Sequence, residues 1–271
     1  MPELPEVESI RRELVSCILD SHFSQVKLLW ERAVIGITPD GFCHQLEGKR
    51  ICHIGRRGKY LLFSLSDKKT FILHLGMSGY VELLPSSSPT GHYTVAVFYL
   101  DGERKLQFCD RRRLGKLWLT TNRDDVIGKL GIEPFDPRFT PEVLAHLVQR
   151  RMPIKAFLLD QHAIAGIGNM YADEILFSSR IHPLKRVSSL TSEEVSKVYD
   201  SIQRVLAEAL EERGASVSTY RLPCGSLGRA QFHFRVAHRG GQPCPRCGSE
   251  IQRLLIQGRG TYFCPYCQKD T

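Results

Sequence analysis

The chain lacks any long apolar run. No stretch of its 271 residues approaches the roughly 20 apolar residues of a transmembrane helix, and its charged N-terminus does not have the form of a signal peptide. Without an export signal, nine cysteines, an odd number, argue against a disulfide framework and favour a reducing cytoplasm. Acidic residues are too few to balance basic ones: 37 Lys and Arg against 29 Asp and Glu leave a net charge of +8, which favours a polyanionic partner. We therefore expect a cytoplasmic protein that makes no membrane contact.

The first residues, Met1-Pro2-Glu3, could carry chemistry. Removal of Met1, which is usual in bacteria before a small residue, would leave Pro2 with a free secondary amine. An α-amino group has a pKa of about 8, against about 10.4 for lysine, so much more of it is unprotonated at neutral pH. Such an amine attacks carbonyl-like carbons and forms an iminium, and Glu3 could act beside it as a general acid or base. A Pro-Glu start is more often without function, so only independent features elsewhere in the chain can indicate whether Pro2 is a nucleophile.

Hydrophobic periodicity predicts two kinds of structure. Helical spacing predicts a helix over about residues 5–20, and a period near two then predicts eight short strands; these are residues 25–30, 50–54, 60–65, 70–75, 80–84, 92–100, 105–109 and 116–120. Helical patterns return over residues 141–213, after a linker rich in glycine and proline. The predicted fold class is α+β and multidomain. We expect a β-sandwich with an N-terminal helix in residues 1–125, a linker in 126–140, a helical domain in 141–223 and a small module in 224–271.

The terminal module contains the most specific motif. Cys244 and Cys247 form one pair and Cys264 and Cys267 form another, with sixteen residues between the pairs. This is the spacing of a four-cysteine zinc ribbon, and four thiolates would complete a tetrahedral site. We therefore predict one structural Zn²⁺, held by a β-hairpin too small to be stable without it.

Other stretches indicate an anion-binding surface, although each has an ordinary alternative. Residues 55–59 (GRRGK) and 110–115 (DRRRLG) are cationic turns, which are either solvated or bound to an anion. Residues 166–169 (GIGN) precede a helix, and a helix N-terminus behind glycines is a good phosphate site. A dinucleotide fingerprint would need a preceding strand and a third glycine, which are missing here. Arg259, between two glycines at the hairpin tip, could approach a backbone closely.

These features, and their order along the chain, resemble those of the formamidopyrimidine-DNA glycosylases, which are bacterial repair enzymes. The resemblance covers almost the whole chain: the octamer MPELPEVE, the turn HLGMSG at residues 74–79, the dodecamer GIGNMYADEILF at residues 166–177, and the zinc ribbon. It implies a bifunctional glycosylase and AP lyase that removes 8-oxoguanine and formamidopyrimidines and cleaves DNA by β,δ-elimination through an N-terminal proline Schiff base. It also implies a helix–two-turn–helix element in the helical domain. The substrate would be double-stranded DNA containing an oxidised base, bound by a monomer associated with the bacterial nucleoid.

The resemblance assigns roles residue by residue. It implies four catalytic residues, which are Pro2, Glu3, Lys59 and Arg259. It implies eight DNA-binding residues, which are His74, Met77, His92, Arg112, Leu114, Arg150, Lys155 and Asn169. The sequence departs from the family at Leu114, where phenylalanine is usual, at Arg111, and in residues 216–231, which occupy the place of the family's mobile loop.

Two alternatives belong beside this interpretation. An endonuclease VIII-type glycosylase would act on oxidised pyrimidines, but Leu4 stands where that branch tends to have glycine. A non-catalytic zinc-ribbon protein that binds damaged DNA would keep the phosphate-binding modules, but would not need Pro2, Glu3 and Lys59.

Overall fold

The computed structural model describes residues 1–269 and divides the chain into two compact units. The first unit contains Met1–Lys129 and Glu212–Arg229, and the second contains Leu130–Glu211 and the chain from Ala230 onward. The return of Glu212–Arg229 to the first unit has no local signal, and the prediction placed residues 212–223 with the helices. None of the helices within residues 1–269 combines the length and apolar composition needed to span a bilayer.

The first unit is a β-sandwich with three helices. In chain order its elements are α1 (Leu4–Ile18), β1 (Phe23–Leu28), β2 (Val34–Ile35), α2 (Pro39–Leu46), β3 (Ile51–Arg57), β4 (Tyr60–Leu65), β5 (Thr70–His74), β6 (Gly79–Pro85), β7 (Thr94–Leu100), β8 (Arg104–Asp110), β9 (Lys116–Thr120) and α3 (Asp124–Ile127). One sheet has the strand order β1-β7-β8-β6 and the other β2-β9-β5-β4-β3. All strand pairs are antiparallel except the short pair β2–β9. The predicted sandwich is confirmed.

Aromatic side chains fill the space between the two sheets. The ring of Phe71 on β5 lies 5.0 Å from the rings of Phe63 and Phe98, and Phe98 belongs to the opposite sheet. Phe23 contacts the same cluster at 5.9 Å from Phe98. Burial of such large rings is the main apolar contribution to the stability of this unit.

Helix α1 lies on β3 and β4, and its apolar stripe joins the same core. Val7, Ile10, Leu14 and Ile18 are fully buried, as their helical spacing predicts. The prediction missed α2, although the Thr38 hydroxyl accepts a hydrogen bond from the Gly41 amide at 3.2 Å and Pro39 opens the first turn. This N-cap signal was present in the sequence but stood among strand patterns.

The second unit contains helices and one hairpin. Its elements are α4 (Pro141–Leu147), α5 (Ile154–Leu159), α6 (Asn169–Ser179), α7 (Ser192–Glu211), β10 (Gln252–Ile256) and β11 (Arg259–Phe263). The described residues also include short 3-10 helices. One is Glu31–Ala33 in the first unit, and two are in the second, Val187–Ser189 and Ala230–His233. Thr191 and Glu194 form a reciprocal capping box at the start of α7. Helix α6 packs against both α7 and β11, so it connects the helices to the hairpin.

Candidate functional site

The N-terminal segment of the first unit is held in a buried position. Pro2 is buried and Glu3 is only 2% exposed where α1 begins. The Glu3 amide donates to one carboxylate oxygen of Glu6 at 2.7 Å, and the Ala215 amide donates to the other at 2.8 Å. A Cβ atom at Gly214, where φ is +79°, would come within 2.7 Å of that second oxygen. Glu6 therefore ties the start of α1 to the returning segment, which needs glycine at this point.

The environment of the terminus favours an unprotonated amine. Burial lowers the pKa of the amino group of Met1 below its ordinary value of 8.0. The carboxylates of Glu3 and Glu6 oppose this shift, and the cationic side chains of Lys59 and Arg112 support it. With Met1 attached, the nitrogen of Pro2 is an amide. Removal of Met1 converts it into a secondary amine in the same surroundings.

Lys59 and His74 share this electrostatic neighbourhood. Lys59 lies in the two-residue turn between β3 and β4 and is 5% exposed. Burial, assisted by the charge of Lys59, lowers the pKa of His74 to about 4, so its imidazole is neutral at pH 7. The Gly76 amide donates to His74 Nδ1 at 3.2 Å, which leaves the ring proton on Nε2. A neutral histidine with an Nε2–H group can donate a hydrogen bond to a phosphate.

Three of the predicted DNA-binding residues lie together on two neighbouring turns. Met77 and Leu114 are 47% and 44% exposed, so both apolar side chains are accessible to a partner. Arg112 Nη1 donates to Met77 Sδ at 3.1 Å. His92, by contrast, lies exposed in the β6–β7 connection beside Tyr93.

The structure distinguishes the three consecutive arginines, which the sequence could not do. The guanidinium of Arg111 lies over the ring of Tyr93 at 5.9 Å, and that of Arg113 lies over Trp30 at 4.2 Å. Both flanking arginines are therefore occupied by cation–π contacts. Arg112, between them, is directed to Met77.

In the second unit, Asn169 stands at the N-terminus of α6. The sequence predicts Asn169 as N-cap, but the helix includes it and Gly168 is the cap, a difference of one residue. Its side-chain Nδ2 donates to the carbonyl of Gly260 on β11 at 2.8 Å. The N-terminus of α6, which the sequence predicts to bind phosphate, and the hairpin are thus joined directly.

The basic residues assigned to this surface lie in different settings. Lys155 is 0% exposed, and its ammonium donates to the Asn169 carbonyl at 2.9 Å and to Asp173 Oδ1 at 2.5 Å. Burial raises the pKa of Asp173 to about 7 against the opposing effect of Lys155. Arg150 is at the surface and bonds to Asp160 at 2.8 Å. Of the three residues predicted to bind phosphate in this unit, Arg150 is therefore exposed, Asn169 is half-buried and Lys155 is fully buried.

The four cysteines converge as the spacing predicts. Their Sγ atoms all lie within 4.8 Å of one another, with Cys244–Cys267 at 3.9 Å and Cys247–Cys264 at 3.5 Å. Tetrahedral zinc with Zn–S bonds of about 2.3 Å needs sulfur separations of about 3.8 Å, so the residues fit one structural zinc ion. The Arg246 amide points at Cys244 Sγ from 3.4 Å, which is suited to a thiolate ligand.

The hairpin turn presents Arg259. Gln257 and Gly258, with φ values of 48° and 73°, form the two-residue turn between the strands. Arg259 is the first residue of β11 and is exposed. Sequence reasoning missed Glu6 and Asp173 as supporting residues. For Glu6, the Glu3-x-x-Glu6 spacing of a capping box was the available signal.

Three family models match most of the chain. The formamidopyrimidine-DNA glycosylase N-terminal domain matches residues 1–117, the formamidopyrimidine-DNA glycosylase H2TH domain matches residues 130–221, and a zinc finger found in FPG and IleRS matches residues 241–269. Formamidopyrimidine-DNA glycosylases from Chloroflexus aurantiacus and Symbiobacterium thermophilum are 43% and 41% identical to the chain. The alignments span 99% of this chain and 98% and 89% of those relatives.

Solved structures agree over the same length. A variant of Lactococcus lactis FPG in complex with DNA containing Fapy-dG superposes with a TM-score of 0.94 at 34% identity, covering 99% of this chain and 100% of that one. The MutM (FPG) protein of Thermus thermophilus gives a TM-score of 0.91 at 38% identity, and both chains are covered completely. The predicted helix–two-turn–helix domain and zinc hairpin are thereby confirmed.

Proposed function

Because the chain belongs to the formamidopyrimidine-DNA glycosylase family, and is therefore a base-excision repair glycosylase for oxidised purines with AP-lyase activity, we propose that the nitrogen of Pro2 is its nucleophile. One observation carries this proposal. Pro2 is buried beside Glu3, and burial lowers the pKa of the terminal amine of Met1, the residue directly before it. A neutral amine next to a carboxyl group is what covalent attack on a sugar carbon requires.

The reaction follows from these groups. After loss of Met1, the Pro2 nitrogen bonds to C1′ of the damaged nucleotide, the C1′–base bond breaks, and the base leaves with a proton. Glu3 transfers a proton to the ring oxygen, so the sugar opens and a positively charged iminium forms. The iminium acidifies the C2′ protons. Loss of one expels the 3′ phosphate, and a second elimination expels the 5′ phosphate. Lys59 and Arg259 assist by charge or by proton transfer.

The remaining residues bind the DNA. Four residues are assigned to phosphate contacts: His74, His92, Arg150 and Asn169. Three others fill the gap that the extruded base leaves in the DNA: Met77, Arg112 and Leu114. Lys155 acts through the Asn169 carbonyl that it bonds. Zinc, held by the four cysteines, stabilises the hairpin that carries Arg259. The protein acts as a monomer on double-stranded DNA in the bacterial cytoplasm.

Borohydride trapping tests the nucleophile. Reduction in the presence of an 8-oxoguanine duplex converts the iminium into a stable amine, so we expect a covalent protein–DNA adduct that maps to the N-terminal peptide. Pro2→Gly should lose the adduct. Pro39→Gly, which alters the first turn of α2, is the matched control and should keep it.

Other outcomes separate the alternatives. Tight binding of damaged DNA by the parent protein without any adduct would indicate a non-catalytic binding protein. Base release measured in parallel on oxidised purine and oxidised pyrimidine duplexes tests the lesion class, and faster release of the pyrimidine would favour an endonuclease VIII-type enzyme. An adduct in Pro2→Gly at the parent level would contradict Pro2 as the nucleophile.

A further inference from the structure

A buried aspartate organises the turn of three arginines. Asp110 ends β8 and is 1% exposed, directly before Arg111. Its Oδ2 atom accepts from the amides of Leu114 and Gly115, both at 2.7 Å, and its Oδ1 atom accepts from the Arg112 amide at 3.1 Å. A buried carboxylate bonded to successive amides fixes the backbone of a turn strongly, because each bond involves a full charge. Asp110 therefore sets the direction of both Arg112 and Leu114.

The same aspartate reaches across to the turn that carries Met77. The Ser78 hydroxyl donates to Asp110 Oδ1 at 2.5 Å and accepts from the Arg112 amide at 3.1 Å. The two backbones also touch: a Cβ atom on Gly76, where φ is +66°, would lie 2.6 Å from the Gly115 nitrogen. Neither turn can move far without the other.

We propose that Asp110 and Ser78 are positioning residues that join the two turns into one rigid wedge, so that Met77, Arg112 and Leu114 enter the DNA together. The inference rests on the proposed function, since it concerns how the damaged base is extruded. Neither residue touches the reacting atoms in this assignment; both act through the turn backbone.

The composition of the turn explains why such positioning is needed. Three adjacent guanidinium groups repel one another, and a flexible turn would let them spread. Stacking on Tyr93 and Trp30 draws two of them aside, and Asp110 holds the third arginine, Arg112, by its backbone amide. Leu114 is aliphatic and cannot stack on a base as an aromatic ring does, so its effect as a wedge depends on being held in place before DNA arrives.

Two DNA substrates, one with 8-oxoguanine and one with a preformed abasic site, distinguish base extrusion from the cleavage chemistry. Asp110→Asn replaces one acceptor oxygen with an NH₂ group facing amide donors, and should slow single-turnover release of 8-oxoguanine about 100-fold, the cost of a misplacement of about 1 Å. Cleavage and borohydride trapping on a preformed abasic site, which has no base to unstack, should stay within about threefold of the parent protein. Stopped-flow fluorescence of 2-aminopurine next to the lesion should show slower extrusion.

Ser78→Ala is the milder variant and also serves if Asp110→Asn does not fold. It should slow base release about tenfold, the equivalent of one hydrogen bond. In an Asp110→Asn background the same change should add little, because both residues act through one network. Asp101→Asn, at the opposite end of β8 in the exposed β7–β8 turn, removes the same charge and should change none of these rates.

Specific results would overturn the proposal. Equal loss of base release and abasic-site cleavage in Asp110→Asn would show that Asp110 has only a general structural role. Unchanged base release in either variant would show that the substituted residue has no positioning role. Strictly additive effects in the double variant would deny the coupling between the turns. If the parent protein releases no oxidised base, the proposed function itself fails, and this proposal fails with it.

Discussion

The two units hold their functional residues in place by different means. In the first, Pro2, Glu3 and Lys59 are buried, and the unit has a large apolar core that α1 shares with two sheets. Its buried carboxylates, Glu6 and Asp110, are bonded mainly to backbone amides. The proposed catalytic residues of this unit therefore belong to a scaffold that is already well packed.

Around the hairpin of the second unit, little apolar surface is available. The local cluster contains Phe177, Val236 and Ile251 with two of the cysteines. Buried charges and a metal site replace the missing core: Lys155 pairs with Asp173, and Glu174 accepts hydrogen bonds from three successive amides.

The proposed role of each unit explains how its residues are held in place. A nucleophile needs a fixed position with low solvent access, which a large core supplies. A small hairpin that presents one arginine cannot bury enough apolar area to be stable alone, so it depends on zinc.

Loss of zinc should have the largest effect, confined to the second unit. Chelation, or Cys264→Ser, removes a contribution on the order of 10 kcal/mol, so the hairpin should unfold and DNA binding should fall. Hydrogen exchange should show loss of protection in β10 and β11 and retained protection in β5 and β7. Cys52→Ser, an exposed cysteine on β3, is the control. If the hairpin stays protected from exchange after chelation, the second unit does not depend on zinc for its stability.

Glu3→Gln tests the first unit, where we expect a loss of chemistry without a loss of structure. Removal of a general acid should slow base release about 10²–10⁴-fold, while the isosteric amide leaves α1 folded. Single-turnover release of 8-oxoguanine measures this, with circular dichroism as the check on folding. The exposed Glu31→Gln is the matched control. A decrease below about tenfold would be smaller than general acid catalysis supplies.

Glu174→Ala tests whether a buried charge replaces a core in the second unit. It leaves the amides of Arg235, Val236 and Ala237 without their acceptor, which should lower the free energy of unfolding by about 3 kcal/mol or more. Denaturant titration measures the change, and Glu208→Ala, exposed on α7, is the control. Stability equal to that of the control variant would refute the role assigned to Glu174.

The smallest effect concerns pH and His74. Because the pKa of this histidine falls from 6.5 to about 4 on folding, the unfolded chain takes up its proton first as pH decreases. The contribution of His74 to stability is therefore complete above pH 6.5 and is lost progressively between 6.5 and about 4. His74→Gln should flatten this part of the stability profile, whereas His44→Gln on α2 should not. An imidazole signal that titrates near 6.5 in NMR would contradict the buried neutral ring.

Much of this protein was open to prediction because the signals are local. Helical spacing identified α1, alternation identified the long strands, and cysteine spacing identified the zinc site, whose four sulfur atoms converge. Each of these features depends on residues close together in the chain, where backbone geometry relates spacing directly to position.

Which side chains are exposed, and which residues hold them in place, depends on the tertiary structure. Glu6 bonds to Ala215, 209 residues away, and Arg112 is distinguished from its neighbours by rings on other elements. Lys155, a basic residue in a basic stretch, is buried because Asp173 on another helix receives its charge. No local pattern encodes such pairings, because whether a charged group meets solvent or a partner depends on which distant segments folding brings beside it.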